Sequence, residues 1–377
     1  MNILHTVHRY HPFTGGSEEV VRQLSEKLVS LGHTVTVATT PSRERISKEY
    51  NGVHIVEFNC SGDIVSGING DSSAYLEFLR SSKFDIMMNY GAQIWCTDLV
   101  FDIAPQLSMK KVLIPLGYYR LNDPRYTEYF RSMPDILRNY DAVVYLSAIS
   151  PDKEFADKHN LTNGHIIPNG TDLNEFLFTP KGEFRKKHGI GNSFMVLNVS
   201  NHSDVKNHPF FWKCVECAKD EGVTFVLIGN SLKSGMKKWL RECYSVCKMK
   251  GILHKTLVLE NVPRREVVQA FVDADLFLFT SAFECSPLVM FESFAAKTLF
   301  VTTDCGNVKD FTDCIHIFKN EKEARAIINQ SMNNPKLIAE KIDRAFEYVK
   351  NSLNWDTITF QYETLYLSLL GTGEAHR

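Results

Sequence analysis

Short apolar runs recur along this chain, separated by longer segments in which apolar residues fall three and four apart. The runs at 3–7, 34–38, 53–58, 84–89, 112–116 and 142–146 predict one series of strands. Those at 195–199, 224–228, 256–260, 275–280 and 299–302 predict a second. Between the first two runs, Val20, Val21, Leu24, Leu28 and Leu31 keep helical spacing until Gly32 stops them. Strands alternating with helices predict mostly parallel sheets covered on both faces. The expected fold class is therefore α/β, with two doubly wound, Rossmann-like domains. Such sheets bind ligands outside the C-terminal ends of their strands, so two binding crevices are expected to face each other across a cleft. The turn Pro168-Asn169-Gly170 closes the first series, and polar residues with the basic run Arg185-Lys186-Lys187-His188 follow. The expected organisation is a first domain over 1–170, a linker over 171–192, a second domain over 193–350 and a terminal segment over 351–377.

The most informative stretch follows the run at 275–280. It reads Phe283-Glu284-Cys285-Ser286-Pro287-Leu288 and continues as a helix that is apolar except at Glu292 and Ser293. Ser286 can cap that helix, and Pro287 suits its first position because a proline there loses no needed donor. A helix apolar all round is buried. Glu292 then needs a donor to bind or a ligand to hold, because an unpartnered buried carboxylate is costly. Glu284 and Glu292 bracket a helix N-terminus, whose free N–H groups and dipole favour an anion such as phosphate. Carboxylates that grip hydroxyls beside an anion cradle suit a sugar nucleotide. The bland alternative is a buried strand–helix unit with one Glu reaching solvent.

Two further segments carry candidate chemistry. Gly15-Gly16 opens the first helix, where a glycine pair lets backbone approach phosphate closely, or simply makes a tight turn. Residues 118–140 are rich in tyrosine and arginine, and they read either as an acceptor-facing or membrane-facing surface or as an ordinary solvated face.

Composition narrows the partners. The 377 residues suffice for two domains, and 42 basic against 44 acidic residues give no electrostatic case for nucleic acid. No long uncharged apolar run predicts a membrane span. The N-terminal residues read as a first strand rather than a signal peptide. The nine cysteines are expected as reduced thiols, which fits a cytoplasmic protein. Cys214-x-x-Cys217 and Cys243-x-x-x-Cys247 loosely resemble a four-thiolate zinc site, but both pairs fall on helical stretches and read as buried structural cysteines.

Taken together, the motifs resemble glycosyltransferase family 4, the retaining enzymes of GT-B fold. The matches run along nearly the whole chain. They are Thr14-Gly15-Gly16 with Glu18 and Glu19, then Ile167 to Asp172, then Glu284 and Glu292 as the E-x7-E pattern, then Gly306 with Asp310. Trp355-Asp356 and the helix after them are similar to the terminal helix that packs back on the first domain. The resemblance implies that Glu284 contacts the donor sugar and Glu292 the ribose hydroxyls. It implies that Ser286, Pro287 and Leu288 offer the helix start to the diphosphate, that Lys206 binds phosphate, and that Gly16 lies near it from the other domain. Lys206 and Glu284 are the implied catalytic residues. The implied donor is a UDP- or GDP-sugar and the acceptor a glycan or lipid-linked hydroxyl, with peripheral membrane contact through the first domain as a further expectation. No metal or other cofactor is implied.

The sequence departs from this family at two places. Ser200 and Asn201 stand where a Gly-Arg pair is usual, so Asn201 replaces a bidentate phosphate ligand. His202, His208, Arg264 and Arg265 are the candidates to compensate. Pro115-Leu116-Gly117-Tyr118 holds no histidine where many members carry one. These departures keep two alternatives open: a non-catalytic sugar-nucleotide or glycan-binding protein, and a nucleotide-sugar epimerase.

Overall fold

The computed structural model describes residues 1–218, 222–230, 238–254 and 256–372. The chain forms two compact units, one of residues 1–169 with 355–377 and one of residues 170–354.

The first unit is built on an eight-stranded sheet. Its order is Gly164–Ile166, Ala142–Tyr145, Lys110–Ile114, Ile86–Tyr90, Asn2–Thr6, Thr34–Thr39, Val53–Glu57, Glu49–Tyr50. All pairings are parallel except that of Glu49–Tyr50 with Val53–Glu57. The central strands are buried at nearly every position, which is why they read as continuous apolar runs. The helix Trp355–Leu369 belongs to this unit: Tyr362 and Tyr366 are buried, His33 Nε2 lies 2.7 Å from Glu363 Oε1, and Lys27 Nζ lies 2.6 Å from Asp356 Oδ1. Residues 373–377 of the expected terminal segment fall outside the described residues.

The tyrosine-rich stretch is mostly core rather than surface. Tyr118, Tyr126, Tyr129 and Tyr140 are buried in one cluster with Phe130 and Met133, and Tyr118 meets Phe130 and Phe155 edge-on. Tyr119 is exposed, and Arg131 and Arg138 pair locally with Glu128 and Asp135. Polarity at the tyrosine hydroxyls hid an aromatic core in the sequence.

The second unit holds a six-stranded, wholly parallel sheet. Its order is Leu257–Glu260, Val223–Gly229, Phe194–Val199, Leu276–Phe279, Leu299–Thr302, His316–Ile317. Numbered within the unit this is 3-2-1-4-5-6, the Rossmann order, and its direction of winding reverses between Phe194–Val199 and Leu276–Phe279. The two strands meet with Val196 opposite Leu276 and Leu197 opposite Phe277. Their C-terminal ends therefore open side by side.

The stretch expected to be an irregular linker is part of this unit. It forms the helices Leu173–Leu177 and Glu183–His188, which bury Phe176 and Phe184 in the core. The Asp273 carboxylate accepts from the N–H groups of Gly182, Phe184 and Arg185, and so satisfies the start of the second helix. Its capping group comes from 88 to 91 residues away in the chain, which no local pattern reveals.

One buried acid makes the first unit sensitive to pH. Asp98 accepts from the Ile64 N–H at 3.0 Å and the Tyr129 hydroxyl at 2.9 Å. Burial, helped by the charge of Asp63, pushes its carboxyl up to about 7 from 3.8. Between those values the folded chain binds a proton that the unfolded chain has released, so this group lowers stability as pH rises. We predict that Asp98→Asn removes a slope of up to about 1.4 kcal/mol per pH unit. Denaturation midpoints at about pH 5 and pH 7 check this, and an identical pH dependence in variant and wild type would contradict it.

Candidate active site

Two loops leave the reversal point of the second sheet. The first follows Phe194–Val199 and carries a short 3-10 turn, Asp204–Lys206. The second follows Leu276–Phe279 and leads into the helix Leu288–Ala295. Backbone and side-chain bonds stitch the two together: Ala282 N–H donates to the Val205 carbonyl at 2.7 Å, and the Thr280 hydroxyl donates to the Lys206 carbonyl at 3.2 Å.

This stitching brings Lys206 and Glu284 into contact. Lys206 Nζ lies 2.5 Å from Glu284 Oε1 and 5.4 Å from the centre of the Phe279 ring. The Ser281 hydroxyl is fully buried, 2.8 Å from the same carboxylate oxygen and 2.7 Å from the Val205 carbonyl. Ser281 was not foreseen, because nothing in the pattern marks one serine beyond a strand end.

The loop of Glu284 is also held from the far side. Asn307 N–H donates to the Cys285 carbonyl at 3.0 Å. A Cβ on Gly306 would fall 2.8 Å from that carbonyl and 3.0 Å from Glu284 Cβ, so this approach requires glycine. The Asn307 amide is buried, with neither its oxygen nor its nitrogen hydrogen-bonded among the described residues. An unsatisfied buried amide beside the loop marks a polar group with bonds left to offer.

The helix Leu288–Ala295 is as apolar in its packing as in its sequence, with Met290, Phe291 and Phe294 in the core. Its start differs from expectation. Pro287 has ψ 120, so it is the extended residue before the helix rather than the first helical one, and no side chain caps the turn. The first backbone donor is therefore that of Leu288, since proline has none.

Glu292 has the donor that its burial demanded. It is only 8% exposed, and Arg264 Nη1 lies 2.5 Å from its Oε1. The same guanidinium reaches Glu175 Oε2 at 2.6 Å through Nη2. Arg264, expected as a substitute phosphate ligand, is committed to these two carboxylates. Asn201 is exposed on the first loop. Gly16 lies in the other unit, at the start of the helix Gly16–Ser30, with open space where a Cβ would stand. There the Glu18 carboxylate folds back, so that a Cβ on Gly15 would meet its Oε2 at 2.4 Å, and Arg9 Nε pairs with it at 2.9 Å.

A separate cavity of about 570 Å³ opens at the other end of the second sheet, lined by Lys181, Arg185, Asp273 and Asp275 among others. Arg185, Asp273 and Asp275 serve structure there. Arg185 pairs with Asp275 at 2.6 Å, and Asp273 binds the backbone as described above. It lies at the N-terminal strand ends, away from the ligand side of such a sheet.

A family model described as glycosyl transferases group 1 matches residues 180–357. The phosphatidylinositol N-acetylglucosaminyltransferase GPI3 subunit of Saccharomyces cerevisiae is 18% identical over 313 residues, 80% of this chain and 67% of that protein. Sucrose-phosphate synthase from Thermosynechococcus elongatus superposes with a TM-score of 0.78 at 17% identity, over 99% of this chain and all 100% of that one. HepE from Anabaena, in complex with UDP and glucose, gives 0.75 at 16% identity over 98% of this chain and 100% of that one. The chain has the GT-B fold, with two Rossmann-like domains.

Removing Arg264 tests the account of Glu292. Arg264→Ala leaves a buried carboxylate without its partner and should cost on the order of 1–3 kcal/mol. Glu175→Gln removes a more exposed partner and should cost less than about 1 kcal/mol. Urea denaturation of both variants checks the order, and a larger loss for Glu175→Gln would contradict it.

Proposed function

We propose that this protein transfers a sugar from a UDP- or GDP-sugar to a hydroxyl acceptor in glycan biosynthesis, with retention of anomeric configuration and without a divalent metal in the reaction. The observation that carries this reading is the Lys206–Glu284 pair at the reversal point of the second sheet, beside a helix start. The match of residues 180–357 to group 1 glycosyl transferases supports it.

The chemistry follows from the charges. A departing nucleoside diphosphate gains negative charge in the transition state. Lys206 and the uncapped first turn at Leu288 supply positive potential where that charge appears. Without donor, Glu284 holds the ammonium in place. With donor, Lys206 turns to phosphate and Glu284 is released to accept from the sugar. Glu292, fixed by Arg264 through one oxygen, accepts from ribose hydroxyls through the other. Asn307 adds an amide close to Cys285. The proposed acceptor is a glycan or lipid-linked hydroxyl. The yeast relative, whose name specifies N-acetylglucosaminyl transfer to phosphatidylinositol, supports the lipid-linked form. Among the described residues no helix is long and apolar enough to cross a membrane.

Two variants divide the roles. Lys206→Ala should weaken UDP or GDP binding by roughly ten- to a hundredfold and leave uridine or guanosine binding unchanged. Equal losses for nucleotide and nucleoside would place Lys206 away from the phosphates. Glu284→Gln should leave diphosphate affinity unchanged or tighter, because it frees the ammonium, while lowering the transfer rate by about a hundredfold or more. Calorimetry and initial rates measure both. Diphosphate binding with no transfer or hydrolysis from any UDP- or GDP-sugar would instead leave a binding protein.

A further inference from the structure

We propose that His202, His208, Cys243 and Cys247 form a tetrahedral site for a thiophilic divalent cation, zinc by its chemistry, that clamps the loop of residues 200–208 to the helix Lys238–His254. The ligand atoms of these four side chains all lie within 4.8 Å of one another. His208 Nδ1 is 3.4 Å from Cys243 Sγ and 3.3 Å from Cys247 Sγ, and His202 Nδ1 is 3.9 Å from Cys243 Sγ. Zinc bonds of about 2.3 Å to sulfur and about 2.0 Å to nitrogen set the nitrogen–sulfur edge of a tetrahedron at about 3.5 Å. The observed edges scatter about that value. His202, His208 and Cys247 are buried and Cys243 is half-buried, so the site is closed, as structural sites are.

A hydrogen-bond chain fixes the tautomer that a metal needs. Asn198 Nδ2 donates to the Leu278 carbonyl at 2.7 Å, which leaves its Oδ1 as an acceptor. The Ser200 hydroxyl donates to that oxygen at 2.6 Å. Having spent its one proton, Ser200 must accept from His208 Nε2, 2.8 Å away. The proton of His208 is thus on Nε2, and Nδ1 turns a bare lone pair toward two sulfurs. One lone pair cannot serve two S–H donors, whereas one cation serves both sulfurs and both imidazoles. Orientation of a ligating histidine through its other nitrogen is the usual outer-shell arrangement of metal sites. Trp212 Nε1 also lies 3.3 Å from Cys247 Sγ, a donor suited to a thiolate.

The sequence held only half of this. Cys243 and Cys247 lie one turn apart on one helix face, as ligands can. Their apparent partners do not take part: Cys214 is packed in the core with Phe211 and Val215. The true partners lie some forty residues upstream, on the loop that also carries Lys206. On binding, the cation replaces two thiol protons, which leave to solvent. The site stabilises that loop and does not depend on what the loop binds, so its failure would leave the proposed transfer reaction standing.

The test uses the full-length chain, purified with reductant after growth with zinc. Elemental analysis should find about one zinc per chain. Exchange with cobalt should give the thiolate-to-cobalt charge-transfer band and the visible bands of a tetrahedral ion. A zinc chelator should lower the thermal midpoint by roughly 4 °C or more, reversed by zinc. Cys243→Ser with Cys247→Ser should lose the metal, and Cys217→Ser should keep it. A wild type that takes up neither zinc nor cobalt, cobalt without the charge-transfer band, a Cys243–Cys247 disulfide in the reduced preparation, or metal retained by the double variant would each overturn the proposal. Should the double variant not fold, the cobalt spectrum of the wild type decides alone.

Discussion

The site depends on one constraint, the tie between two loops at the point where the second sheet reverses its winding. A parallel sheet wound outward from its middle leaves neighbouring strands whose C-terminal loops diverge. Here the Val205 carbonyl accepts from Ala282 N–H and the Lys206 carbonyl accepts from Thr280, so the loops are held together at their roots. The Lys206–Glu284 pair follows from that placement. So does the aim of the helix Leu288–Ala295, whose start lies four residues beyond Glu284. Gly306 and Asn307 close the far side, where only a glycine allows backbone to press on the loop.

The site holds two ion pairs with different surroundings. Lys206 and Glu284 are both partly buried and, among the described residues, hold only each other as charged partners. In the second pair the Glu292 carboxylate is buried, while the more exposed Arg264 is anchored a second time at Glu175. Removing Arg264 would strand the buried charge of Glu292.

Much of the fold was legible because its strands are buried on both faces. The run at 299–302, for example, is the strand Leu299–Thr302 with every side chain buried. Elements that owe their form to distant groups were not legible. The hairpin of Cys60–Asp63 with Gly67–Gly70 has neither length nor alternation. The helix Glu183–His188 needs Asp273, and its polar surface resembles a linker. Of the candidate site residues, Lys206 and Glu284 lie in direct contact, which no spacing announced, and Glu292 is buried as its apolar helix required. The motif could not show that Arg264 holds Glu292, since that pair spans 28 positions. Nor could spacing show that two histidines, rather than Cys214 and Cys217, face Cys243 and Cys247.

Ser200 and Asn201 have a double bearing on this picture. Asn201 is exposed on the loop, and under the proposed function it leaves more of the diphosphate charge to Lys206 than an arginine there would. Its neighbour Ser200 is bound inward to Asn198 and His208. The central claim is that a nucleoside diphosphate lies between this loop and the start of the helix Leu288–Ala295. Amide hydrogen exchange of the full-length protein with and without saturating UDP or GDP tests it most directly. The account predicts slowed exchange confined in the second unit to residues 203–207 and 284–290. Protection that leaves both segments unchanged, while nucleotide is bound, would contradict it.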